Sequence, residues 1–160
     1  ATYEGESYTS SGSDEGEGLI ISGSLYLDSE YGLGFQFGAM KASEPDPPLS
    51  WRGALTTLYG SNISDFLLME FGTGVHYERI TDTYTSGGLE FQATVKIFSF
   101  YSTTSLVLYF GDYFSFVGGV AIALPLFAKA EITSGAGSIR PEMHITGFTY
   151  EAQIGIAFNL

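Results

Sequence analysis

The chain has no cysteine, only six basic residues and no long apolar run. Each absence removes a class of protein. Without cysteine there is neither a disulfide framework nor a thiolate metal site. The six Lys and Arg stand against 18 Asp and Glu, a formal net charge of −12. Phosphate backbones need clustered cations, so the composition argues against nucleic acid as a partner. The longest apolar stretches, Leu106 to Phe110 and Val120 to Ala128, fall well short of the ~18 residues of a spanning helix. Any membrane crossing would then have to be made by a closed barrel, the other solution to backbone desolvation.

What is present favours strands. Aromatic residues make up 16% of the 160 residues and glycine contributes 21, a mixture suited to strands and tight turns. The length is that of one domain. The chain opens at Ala1 without an initiator Met, which reads as a mature protein whose export signal peptide has been cleaved. Residues 1–17 form an acidic polar segment with Glu4, Glu6, Asp14, Glu15 and Glu17 and no basic residue. From residue 18 to 160, side chains alternate between apolar and polar or small.

The alternation predicts strands at Leu19–Leu27 and Tyr31–Ala39, joined by a turn at Asp28–Glu30. Pro45, Pro47 and Pro48 make residues 41–50 a loop. Strands follow at about Arg52–Tyr59 and Leu67–Tyr77, with a turn over Gly60–Asp65. Arg79–Gly88 reads as a polar loop, and Leu89–Ile97 as a strand. Tyr101–Thr104 reads as a turn before a short strand at Ser105–Gly111. Phe116–Ile132 keeps one phase but contains Pro125, where a ladder hydrogen bond is lost. Ser134–Pro141 is a loop, and the final strand begins near Glu142. The count is eight; ten if the chain turns at Pro125 and Thr2–Tyr8 is also a strand.

The last strand is the most informative. Tyr150, Ala152, Ile154, Ile156, Phe158 and Leu160 share one face, and Glu151, Gln153, Gly155, Ala157 and Asn159 the other. This ending resembles the closing strand of bacterial outer-membrane β-barrels, although Leu160 stands where that class usually has Phe. The resemblance covers residues 19–160 and is to the small OmpA-, OmpX- and OprG-like barrels. It implies a closed, antiparallel, up-and-down transmembrane β-barrel in the bacterial outer membrane. It implies outer-membrane lipids and the barrel-insertion machinery as partners, the last strand being the insertion signal, and leaves room for envelope protein partners.

A soluble lipocalin-like ligand-binding barrel also alternates, with its apolar face inward. Three features favour apolar outward: glycine-rich polar faces, aromatics near strand ends (Tyr26, Tyr31, Trp51, Tyr59, Tyr77, Phe98, Tyr101, Tyr113), and the closing strand. On that basis Glu70, His76, Glu90, Lys96, Lys129, Glu131 and Glu151 are expected to form a lumen ion network. Eight strands leave an interior just wide enough for side chains, so a plugged, rigid core is expected in preference to a selective pore.

Glu142, His144 and Thr146 bring a carboxylate, an imidazole and a hydroxyl close together in sequence. The arrangement resembles small barrels that deacylate lipid A, but those carry Ser where Thr146 stands, and solvated strand-end residues are the simpler explanation. Two His and no Cys leave no metal site to expect. The expectation is a non-enzymatic outer-membrane barrel without cofactor, with a structural or surface-interaction role. The alternatives are a passive channel for small or hydrophobic solutes, then a lipid A-modifying enzyme or a soluble barrel.

Overall fold

The structure, a computed structural model, describes residues 16–42, 49–135 and 137–158. It is all-β, with strands β1 (Gly16–Tyr26), β2 (Tyr31–Ala42), β3 (Leu49–Ser64), β4 (Leu67–Ser86), β5 (Leu89–Phe110), β6 (Phe114–Ser134), β7 (Gly137–Ile139) and β8 (Thr149–Phe158). Each of β1 to β6 pairs antiparallel with the next. β7 and β8 both pair with β6: β7 at its carboxyl end through Ile132↔Ile139, β8 along Phe114↔Phe158 to Ala123↔Thr149.

The sheet is strongly curled. The Gln36 side chain on β2 donates from Nε2 to Gln153 Oε1 on β8 at 3.2 Å. In a flat sheet those two strands would stand about 24 Å apart, at ~4.8 Å per strand. Closure is not complete: among the described residues no ladder joins β1 to β8.

The strand count agrees with the sequence reading, but the elements are divided differently. β5 is a single strand through Tyr101–Thr104, so the turn expected there and the separate strand at Ser105–Gly111 do not exist. The Arg79–Gly88 loop is also strand: β4 runs to Ser86 and the loop shrinks to Gly87–Gly88. Both glycines have positive φ (60° and 79°), as a two-residue turn matching strand twist requires. Thr81, Thr83 and Thr85 are β-branched, which suits the extension of this strand. β3 continues through the expected Gly60–Asp65 turn to Ser64. The final strand starts at Thr149, later than Glu142; residues 140–148 carry no ladder, and β7 lies within the expected Ser134–Pro141 loop. The Thr2–Tyr8 strand, the Pro45–Pro48 part of the loop and Leu160 lie outside the described residues.

The distribution of polarity is inverted relative to a water-soluble sheet. On the convex face Leu33, Phe35 and Phe37 of β2, Leu55 of β3, and Ile154 and Ile156 of β8 are exposed, Ile154 by 92%. On the concave face Arg52, Thr56, His76, Ser99 and Tyr101 are buried, Tyr101 to 2%. Glycine makes this concave face narrow: a Cβ on Gly74 would lie 2.0 Å from the Leu55 carbonyl oxygen.

Further along β4, β5 and β6 the polarity reverses. The β4–β5 ladder runs without a register shift from Leu67↔Leu108 to Ser86↔Leu89. The face carrying Tyr101 and Ser99 therefore continues as Ile97, Val95, Ala93 and Phe91, and these apolar residues turn inward. Tyr84 and Phe91 stack on this face at 5.3 Å. Glu90, Gln92, Thr94 and Lys96 take the outer face. In β6 a register shift beside Pro125, where Ser99 pairs with Pro125 but Phe98 with Phe127, changes phase. The 17-residue single phase expected for β6 is thus broken at Leu126, and Lys129 and Glu131 go outward with Lys96 and Thr94.

Two outcomes follow from this geometry. Gly74→Ala should destabilise by about 1–3 kcal/mol, because the neighbour is backbone and cannot yield. Gly53→Ala, whose Cβ would meet nothing closer than 3.5 Å, should be neutral or slightly stabilising; equal unfolding midpoints for the two would refute the close approach. In the β1–β2 turn, Asp28 Oδ1 accepts the backbone N–H of Tyr31 at 2.6 Å and of Glu30 at 2.8 Å. These bonds hold its carboxyl below the ordinary value of 3.8. The folded value being the lower one, the turn is favoured above the ordinary range and loosens as pH falls through the depressed value. A carboxyl carbon NMR titration should place the Asp28 midpoint below 3.8.

Candidate functional site

The concave face gathers its polar groups into one braced cluster. Small residues make room for it: Ala54 on β3 and Ala121 and Ala123 on β6 pack with Tyr101 of β5. From β3, the buried guanidinium of Arg52 pairs with Glu151 of β8. The Tyr101 hydroxyl lies 2.8 Å from Glu151 Oε1 and 2.9 Å from Gln36 Oε1, so it is placed to donate to either and bridges β2 and β8. Gln153 Nε2 donates to Glu151 Oε1 at 2.5 Å. The His76 ring stacks on Tyr101 at 5.4 Å and 21°. Four strands, β2, β3, β5 and β8, are thereby tied through side chains although none of the four is a neighbour of another apart from β2 and β3.

Two smaller interior contacts lie towards the sheet's ends. The Tyr26 hydroxyl on β1 donates to Glu70 Oε1 on β4 at 2.7 Å. Ser50 Oγ donates to Glu78 Oε1. Within the central cluster the buried Nδ1 of His76 has no hydrogen-bond partner.

Of the seven residues expected in the lumen network, Glu70, His76 and Glu151 are on the concave face, with Glu70 in a separate contact from the other two. Glu90, Lys96, Lys129 and Glu131 are on the outer face. Glu131 there accepts from the Arg140 guanidinium at 3.0 Å. Lys96 is opposite Arg79 on β4 and opposite Lys129 on β6. Sequence reasoning missed Arg52 and Tyr101, the centre of the cluster. The signal for Arg52 was present: it shares a face with Ser50, Ala54, Thr56 and Leu58, opposite Trp51, Leu55 and Tyr59. Tyr101 was hidden by the expected turn.

The expected insertion-signal strand is β8. Tyr150, Ala152, Ile154 and Ile156 are on its exposed face, while Phe158 is described only by its backbone. Glu142, His144 and Thr146 are exposed in the segment before β8, not on a strand. Among the described residues no group of three His, Asp or Glu side chains is placed to hold a metal ion. No family model matches the chain, and no curated protein matches it.

The Arg52–Glu151 pair is nearly buried, with side chains 9% and 13% exposed. Arg52→Met should cost about 3–5 kcal/mol, since it leaves a carboxylate unpaired in the interior. Arg52→Met combined with Glu151→Met should recover most of that loss. Chemical unfolding would measure both; a double variant as unstable as the single would exclude an uncompensated charge as the cause.

Proposed function

We propose that the protein is a small outer-membrane β-barrel, closed along the β1–β8 seam, with a structural or surface-interaction role and no enzymatic one. The observation that carries this reading is the exposed apolar band around a polar, ion-paired interior. In water, uncovered side chains such as Ile154, Leu19, Phe35 and Leu126 would forfeit their burial at ~25 cal/mol per Å². In lipid they are at home. The band also has aromatic borders. Tyr31 and Tyr59 pair at 5.4 Å towards one end, and Phe37 stacks on Trp51 at 5.9 Å towards the other. From Trp51 to Tyr59 is about 26 Å along the strand at ~3.3 Å per residue, the scale of an outer-membrane hydrocarbon layer before tilt.

Closure is supported by the cluster. Gln36 and Arg52 reach β8 from β2 and β3, which leaves β1, paired to β2, as the strand beside the seam. A closed seam would also satisfy the two free edges that lipid cannot solvate. The role follows from the interior: the Arg52–Glu151–Tyr101–Gln36 bracing crosses the path that a channel would need. The likeness of β8 to an insertion signal supports the membrane location.

Trp51 is the chain's one tryptophan and lies on the outer face. In vesicles, lipids brominated on their acyl chains should quench its fluorescence strongly, and aqueous iodide weakly. The folded protein should remain in carbonate-washed membranes and shift its gel mobility on boiling. Release into the aqueous fraction would overturn the proposal, and steady single-channel conductance in planar bilayers would replace the structural role with a channel.

A further inference from the structure

Three of the six basic residues of this acidic chain lie side by side. Arg79 on β4, Lys96 on β5 and Lys129 on β6 are direct cross-strand partners in one row, all exposed on the outer face. Like charges placed opposite one another are destabilising, and among the described residues none of the three is ion-paired: the ion pairs there are Arg52–Glu151 and Arg140–Glu131. The row spans two strand spacings, about 10 Å. Lys96 and Lys129 also line an open depression of about 310 Å³ together with Thr94, Ala130, Glu131 and Arg140, the last two paired with each other.

Its position is as telling as its charge. On one side the next outward row is aromatic, with Phe98 and Phe127 stacked at 5.2 Å and Tyr77 6.5 Å from Phe98. Trp51 is the cross-strand partner of Arg79. On the other side the outer face of β4 to β6 becomes polar, with Thr81, Thr94 and Glu131 beside Leu49 of β3, and the inner face becomes apolar. The cations therefore mark the line where the apolar band ends.

We infer that Arg79, Lys96 and Lys129 form a docking site for the phosphate headgroup of an anionic lipid, whose chains lie against Tyr77, Phe98 and Phe127. The inference rests on the membrane reading above. Glu131 beside the row is engaged by Arg140, so the headgroup supplies the counter-charge to the three cations, and the aromatic neighbours hold the adjoining glycerol and acyl region. A soluble anion would gain the charge contact but not the apolar one.

The test uses the full chain refolded into phosphatidylcholine vesicles containing a minor fraction of phosphatidic acid. One lipid or the other carries brominated acyl chains, and Trp51 quenching is read. Phosphatidic acid should be preferred at the protein surface by about fivefold, the scale of one cation's attraction to an anionic headgroup, and the preference should fall as salt rises. The Arg79→Gln/Lys96→Gln/Lys129→Gln variant should lose the preference while keeping quenching by phosphatidylcholine. The charge-preserving Arg79→Lys/Lys96→Arg/Lys129→Arg variant should retain it. Equal quenching by the two lipids in the unmodified chain, or an unchanged preference in the glutamine variant, overturns the site and leaves the membrane reading standing. Abolition of the preference by millimolar inorganic pyrophosphate, where sodium chloride of equal ionic strength leaves it, assigns the row to a soluble anion and overturns the lipid. Absence of quenching by either lipid overturns the membrane reading itself.

Discussion

The unbroken ladder between β4 and β5 governs the rest of the molecule. Side chains alternate strictly along a strand, and only a bulge can change their phase. Once His76 and Tyr101 face inward, every second residue over the whole length of β5 must do the same. That obligation turns Val95 and Phe91 inward and Lys96 and Glu90 outward. β6 meets it by shifting register at Pro125, a residue with no N–H to donate to a ladder. The change from an apolar to a polar convex face is thus built from one unbroken β4–β5 register and one compensating shift in β6.

Within the curl, the chain solves the problem of a polar interior by mutual satisfaction. Glu151 receives a guanidinium, a phenol and an amide; Gln36 and Gln153 join the same group. An ion pair in such a setting is weak evidence of net stability, because desolvation opposes its attraction. What it does supply is specificity of alignment. A one-residue slip of β8 would move Glu151 to the convex face and strand Arg52 without a counter-charge.

The sequence made the strand class, the Asp28–Glu30 turn and the outward direction of Phe35 and Ile156 legible, since each rests on local alternation or turn chemistry. It hid what depends on partners. Tyr101-Ser-Thr-Thr104 looks like a turn because its residues are small and polar, yet it is held as strand by β4 on one side and β6 on the other. The alternation at Leu89–Ile97 was read correctly in period and assigned to the opposite faces. Period alone does not say which face is inside; the sign is set only by the distant contact of Tyr101 with β2 and β8. For the same reason Lys96 and Lys129 were placed among the interior ions.

The hydrogen bond between Gln36 and Gln153 joins residues 117 apart in sequence, whereas the hairpins from β1 to β6 are stitched between chain neighbours. Loop-closure entropy and topology then impose an order on assembly. Hairpins such as the one at Gly87–Gly88 can zip early and independently. The curl, and with it the meeting of Arg52 and Glu151, must wait until β8 has been laid against β6. β8 is accordingly the kinetic lock of the fold, and the strands paired before it docks remain an incomplete ribbon.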